Sequence, residues 1–157
     1  MSDLRVIPID PDRLDAMRGR GADEYGNPWL RRVAEGWEPL RCCLRIAGAG
    51  EGTALICYSA WTAPSPWAEA GPVFVHHERC PGYLTPGEYP PALRGGRRQL
   101  RPYDESGAIA YDHITFIEPD DDPAEVVHSV LTQPGVAAVH VRSATAGCLA
   151  FEVRLAR

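Results

Sequence analysis

Lysine is missing from this chain: all 16 basic side chains among its 157 residues are arginine. That excludes Schiff-base chemistry, pyridoxal phosphate attachment, the phosphate-loop lysine and a lysine general base. No CxxC occurs, which argues against a zinc ribbon or a thioredoxin-like pair. There is no apolar run of membrane-spanning length, and no basic start followed by an apolar secretion segment. The expected location is therefore the cytoplasm, with no membrane partner. Positive charge is also scarce. A formal net charge of -5 argues against nucleic acid as a partner. Cys42, Cys43, Cys57, Cys80 and Cys148 are an odd number with no regular framework, and read as free thiols.

The length suits a single domain over residues 1–157, with room for a real core. Fifteen glycines and 15 prolines imply many turns. Hairpin-length spacings with only two good helical patterns predict an α+β fold, mainly antiparallel, with about six to eight strands in one sheet. Residues 4–9 read as an edge strand. Asp10 and Pro11 open an N-terminal helix as N-cap and first helical residue. Residues 22–39 read as loop and one short helix, with Trp29 and Trp37 packed over the core. Residues 41–46 alternate, placing Cys42, Leu44 and Ile46 on one face and Arg41, Cys43 and Arg45 on the other. A hairpin with residues 53–61 follows from that reading. Asp122, Pro123 and Glu125 form a capping-box pattern that starts a helix near 123–132.

Two stretches concentrate chemistry. In GPVFVHHERC, residues 71–80, a short run of β-formers delivers His76, His77 and Cys80 to the end of a strand bounded by turn signals. The last hairpin has apolar Val139 and Val141 on one strand, and Leu149, Phe151, Val153 and Leu155 on the other. Matching those faces sets Arg142 across from Cys148 and His140 across from Ala150. His140 and Cys148 are then diagonal neighbours on the opposite face. The expectation is one groove bordered by His76, Cys80, His140, Arg142 and Cys148.

Several blocks carry a family resemblance: DEYGNPW near Asp23, RCCLR at Arg41, GPVFVHHERC, RRQLRPYDESG at Arg97 and HVRSATAGCLAF at His140. In order and spacing the chain resembles the bacterial family named domain of unknown function 1203. Members typically carry asparagine and an aromatic residue where this chain has Ser143 and Leu149. The resemblance implies a small single-domain soluble protein. It supplies no reaction, substrate or catalytic residue.

The residues themselves support three readings. The preferred one is a binding module for an anionic small molecule or a protein partner, through His76, His77, Cys80, His140, Arg142, Cys148, Arg41 and Cys43. The second is a thiol- or histidine-dependent enzyme, with Cys43 or Cys80 beside a histidine. Zinc held by His76 or His77 with Cys80, His140 and Cys148 ranks last, because the spacing matches no standard knuckle. No cofactor is expected and no metal ligand is assigned. The sequence is compatible with a homo-oligomer.

Overall fold

The computed structural model describes residues 3–157. In chain order its elements are β1 (Leu4–Ile7), α1 (Pro11–Arg20), β2 (Arg32–Val33), β3 (Pro39–Leu40), β4 (Arg45–Ile46), β5 (Gly52–Tyr58), β6 (Gly71–His76), β7 (Arg98–Tyr103), β8 (Thr115–Ile117), α2 (Pro123–Leu131), β9 (Ala138–Ser143) and β10 (Leu149–Leu155). The fold is α+β and mainly antiparallel, as expected. The strands do not form one sheet, however. They divide into two five-stranded sheets in two compact units, Pro8–Leu84 and residues 3–7 with Thr85–Arg157. No helix among the described residues is long and apolar enough to cross a membrane.

In the unit of residues 3–7 and 85–157 the strand order is β1-β10-β9-β7-β8, antiparallel throughout. α2 begins as the capping pattern predicts: the Asp122 carboxylate accepts the Ala124 amide at 3.0 Å, with Pro123 at the first position. It lies against β7, β9 and β10 and buries Val127, Val130 and Leu131. The β9–β10 hairpin corrects the expected register. Val139 faces Val153 and Val141 faces Phe151, so the apolar sets share a face as predicted, but the pairing is displaced by two residues. A bulge between Leu149 and Phe151 absorbs the mismatch and sets Arg142 opposite Leu149. A two-residue displacement leaves every side chain on its original face, so face matching alone does not detect it.

In the unit Pro8–Leu84 the order is β2-β5-β6-β3-β4. α1 starts where Asp10 accepts the Asp12 amide at 2.8 Å, and stops at Gly21, whose φ of 72° is left-handed. Its Leu14 and Met17 are fully buried. Residues 22–39 hold β2 and the start of β3 and no helix. A buried Asp23 organises this segment, accepting the amides of Tyr25 and Asn27 at 2.9 Å and that of Cys57 at 2.8 Å. Trp29 is half-buried, whereas Trp37 is 60% exposed and rests edge-on against Phe74, so it does not pack over the core.

The hairpin expected between residues 41–46 and 53–61 does not form. β4 pairs with β3, while β5 lies between β2 and β6. Residues 41–44 are turn, not strand, which cancels their expected two-face alternation.

Candidate metal centre

The site is built where two parallel strands end. β3 and β6 lie side by side in the same direction, with Leu40 opposite Phe74 and the Arg41 amide donating to the Phe74 carbonyl at 2.9 Å. Parallel neighbours leave a sheet at the same edge, so residues 41–44 and 77–82 emerge together. The first segment curls at once. The Leu44 amide donates to the Leu40 carbonyl at 2.9 Å, and Leu44 adopts a φ of 58°, unusual for a residue with a Cβ. This one turn presents both Cys42 and Cys43. The second segment leaves β6 after the His77 amide bonds to Gly52 at 3.1 Å, bends at His77 and Glu78, and then carries Cys80 just before Pro81 and Gly82.

An arginine from α1 holds that second segment in place. Arg18 donates to the carbonyls of His77 at 3.0 Å, His76 at 3.2 Å and Glu78 at 3.3 Å. Asp15, one turn earlier, orients the guanidinium at 3.0 Å. A planar guanidinium with five donors suits this task, because one side chain can serve three successive carbonyls at once.

Four ligand atoms converge: the sulfurs of Cys42, Cys43 and Cys80 and the Nδ1 of His76, all within 4.8 Å of one another. His76 Nδ1 lies 3.4 Å from the Cys42 sulfur and 3.7 Å from that of Cys43. In a tetrahedral zinc site, metal–sulfur bonds near 2.3 Å and a metal–nitrogen bond near 2.0–2.1 Å imply edges of roughly 3.6 Å for S···N and 3.8 Å for S···S. The observed separations already approach those edges. The His76 amide also donates to the Cys42 sulfur at 3.2 Å, a bond of the kind that supports a metal-bound thiolate.

His76 is braced from outside. Its Nε2 lies 3.4 Å from Glu51 Oε1 and 3.1 Å from Arg45 Nη2. Glu51 is fixed by Arg45, at 2.6 and 2.9 Å, and by the Gly48 amide at 2.5 Å. If Nε2 donates to Glu51, the Nδ1 lone pair is left facing the sulfurs, the tautomer a metal needs. If Nε2 accepts from Arg45, the proton sits on Nδ1 instead. A carboxylate behind a histidine ligand is a recurrent way to hold the first state.

The sulfurs share charge unevenly. Hydrogen bonding from Cys42, opposed by burial and helped by the Gly82 amide and His76, lowers Cys80 to about 4. Hydrogen bonding from Cys42, again opposed by burial and aided by His76, lowers Cys43 to about 7. Cys42 is raised, because its S–H is the hydrogen-bond donor towards Cys43 and Cys80 and is itself buried. Of the three thiols, Cys42 is the one that holds its proton most firmly. Glu51 is lowered to about 2, first by Arg45 and then by the Gly48 amide.

An open cavity of about 610 Å³ reaches the cluster at Cys43, His76 and Cys80. A narrower one of about 200 Å³ reaches it from the α1 side, at Cys42 and Cys80. Arg31, Arg45 and Arg79 rim the larger cavity, but Arg45 is engaged by Glu51 and Arg79 by Asp15 at 3.0 Å.

Of the expected site residues, the structure brings His76, Cys80 and Cys43 together and adds Cys42, which strand alternation assigns to the apolar face. His77 is not part of the cluster; its ring lies 6.4 Å from that of Trp29 and its Nε2 3.6 Å from Glu78. Arg41 is buried and bends back to the Pro39 carbonyl at 2.6 Å.

His140, Arg142 and Cys148 belong to the unit of residues 3–7 and 85–157. His140 is buried, with Nε2 3.0 Å from Glu152 and its ring 4.5 Å from that of Tyr103. Arg142 donates to the Gly147 carbonyl at 3.1 Å. The Cys148 carbonyl accepts the Ser143 amide, so Cys148 and His140 are not the diagonal neighbours expected. The signal that points to the missed ligand is the adjacency of Cys42 and Cys43, since two neighbouring thiols reach one point only from a turn.

No curated protein and no solved structure matches the chain. The profile of a protein family of unknown function, DUF1203, matches residues 37–155, a span that contains all four clustered residues. The chain belongs to the DUF1203 family.

Proposed function

We propose that this protein binds a soft, tetrahedrally coordinated metal ion, Zn²⁺ first, through Cys42, Cys43, His76 and Cys80. The observation that carries the reading is the convergence of three sulfurs and one imidazole nitrogen within 4.8 Å, at separations near those of a tetrahedral site. This reverses the ranking drawn from linear spacing. Thiolate and imidazole donors select zinc or copper(I) over the hard cations. The Glu51 brace behind His76 and the amide on the Cys42 sulfur add the surrounding hydrogen bonds such sites use. A reducing compartment such as the cytoplasm would keep the sulfurs available.

The test is metal analysis of protein purified without a histidine tag under reducing conditions, with cobalt(II) substitution as a spectroscopic check. About one zinc per chain is expected, with loss of binding in Cys42→Ser and Cys80→Ser. Folded, reduced protein that takes up neither zinc nor cobalt at micromolar excess would sink the proposal.

A second reading, thiol chemistry at Cys80 or Cys43, draws on the lowered Cys80 thiol and its opening to the larger cavity. Protein that is metal-free as purified, yet alkylated at Cys80 far faster than at Cys57, would favour it. The anionic-ligand reading has weaker support, because two of the three arginines on the rim are already engaged by carboxylates.

A further inference from the structure

We infer that the same cluster is a peroxide-reactive modification site, in which Cys80 and Cys42 close a disulfide and the metal is released. The inference rests on the metal reading for its release step, and on the thiol geometry alone for the disulfide. Cys80 is the one sulfur ligand that lines both cavities, so a small oxidant entering the open one meets it at the cluster's edge. Cys42, 4% exposed, lines the narrower cavity together with Cys80. The Cys42 sulfur has those of Cys43 and Cys80 within 4.8 Å, but of these two only Cys80 is a suitable disulfide partner. Consecutive Cα atoms are about 3.8 Å apart across a trans peptide, below the usual range of about 4.4–6.8 Å for bridged cysteines. The Cys42–Cys43 pair is therefore disfavoured. Cys80 comes from a separate segment, the stretch that follows β6.

The chemistry balances with hydrogen peroxide as the oxidant. The Cys80 thiolate attacks one peroxide oxygen; an S–O bond forms, the O–O bond breaks, and hydroxide leaves. In the zinc-loaded protein the Cys42 sulfur, its proton already displaced by the metal, then attacks the Cys80 sulfur; the S–S bond forms, the S–O bond breaks, and a second hydroxide leaves. Two sulfurs lose two electrons in total, the peroxide gains them, and two protons from solvent convert the hydroxides to water. Cys43 and His76 remain as two ligands of an original four, too few to retain zinc.

The experiment treats reduced, zinc-loaded full-length protein with hydrogen peroxide. Zinc release is followed with a chromogenic chelator, and linked cysteines are mapped by alkylation and mass spectrometry. The expected result is one zinc released per chain in step with a Cys42–Cys80 link, and recovery after dithiothreitol and added zinc. Cys57→Ser, outside the cluster, should respond like the parent. The same oxidation on metal-free parent protein keeps the two ideas separable. A chain that never binds zinc but forms the Cys42–Cys80 link overturns the metal reading and supports this one. A chain that binds zinc yet keeps it under peroxide, forms a different link, or goes only to sulfinic acid at Cys43 overturns the present inference.

Discussion

Glu51 and Asp23 show how single carboxylates set this unit's properties. Glu51 sits 3.4 Å from His76 Nε2, an acceptor placed to keep a proton there and free Nδ1 for a metal. Glu51→Gln keeps the shape but loses the charge. We expect zinc affinity to fall by about 10–100-fold, as for other residues that orient a ligand from behind. Chelator competition measures this, and an unfolding midpoint unchanged in the metal-free protein would exclude a merely structural role. Unaltered affinity would remove Glu51 from the site. Asp23 works through folding instead. Burial alone would raise its carboxyl, but the Cys57 amide, the Asn27 side chain and the Asn27 and Tyr25 amides together lower it. A lowered folded-state pKa means Asp23 stabilises the fold above the unfolded carboxyl value near 3.9, and that contribution fades as pH falls through the folded value. Asp23→Asn should therefore flatten the stability profile on the acid side of about pH 4. Asp23→Ala strands several part-buried donors and should destabilise by about 2 kcal/mol at neutral pH. Urea titrations across pH check both, and a parent-like acid slope in the asparagine variant would refute the assignment.

Among the elements, the turn at residues 40–44 is the most constrained. Leu44 is held at φ 58°, which costs roughly 1–2 kcal/mol for a residue with a Cβ, yet its side chain is only 2% exposed. Leu44→Gly would relieve the backbone but empty a buried leucine site, and such losses run to about 2–5 kcal/mol. Lost burial outweighs relieved strain, so net destabilisation of at least about 1 kcal/mol is expected by denaturant unfolding; a stabilised variant would show that strain dominates. This turn also marks where sequence reading fails. Helix starts are legible because Asp10 with Pro11, and Asp122 with Pro123, act through neighbours two residues away. The β9–β10 faces are legible from the two-residue period, while the displacement by two is not, because that period is blind to it. Residues 41–46 alternate as a strand would, but residues 41–44 belong to a curl whose cause is remote: β3 ends opposite Phe74, and parallel pairing between segments over thirty residues apart leaves no local mark. Cys42 escapes a sequence reading for this reason, while His76 and Cys80, at the end of a strand bounded by its own turns, do not.

At the scale of the whole chain, a metal held here would join segments distant in sequence but confined to one unit. All four ligands, the Arg18 clamp and the Glu51 brace lie within Pro8–Leu84. The other unit has its own antiparallel sheet and its own buried set, including Val139, Val141, Phe151 and Val153. Binding to the folded state alone stabilises by RT ln(1 + [L]/Kd), about 2.7 kcal/mol when free zinc is a hundred times Kd. For a chain of this size each kcal/mol moves the midpoint by roughly 2–4 °C, so a chelator should lower Tm by about 5–11 °C. The loss should also be local. In native-state hydrogen exchange, amides whose bonds frame the site, those of Arg41, Leu44, His76 and His77, should lose protection on chelation. Amides of β7, β9 and β10 should exchange at unchanged rates, since no ligand lies on those strands. A chelator that leaves both Tm and the exchange of His76 and His77 untouched would mean that the four donors meet without holding a metal. Equal loss of protection in β9 and at His76 would mean that the metal's influence is not confined to the unit that supplies its ligands.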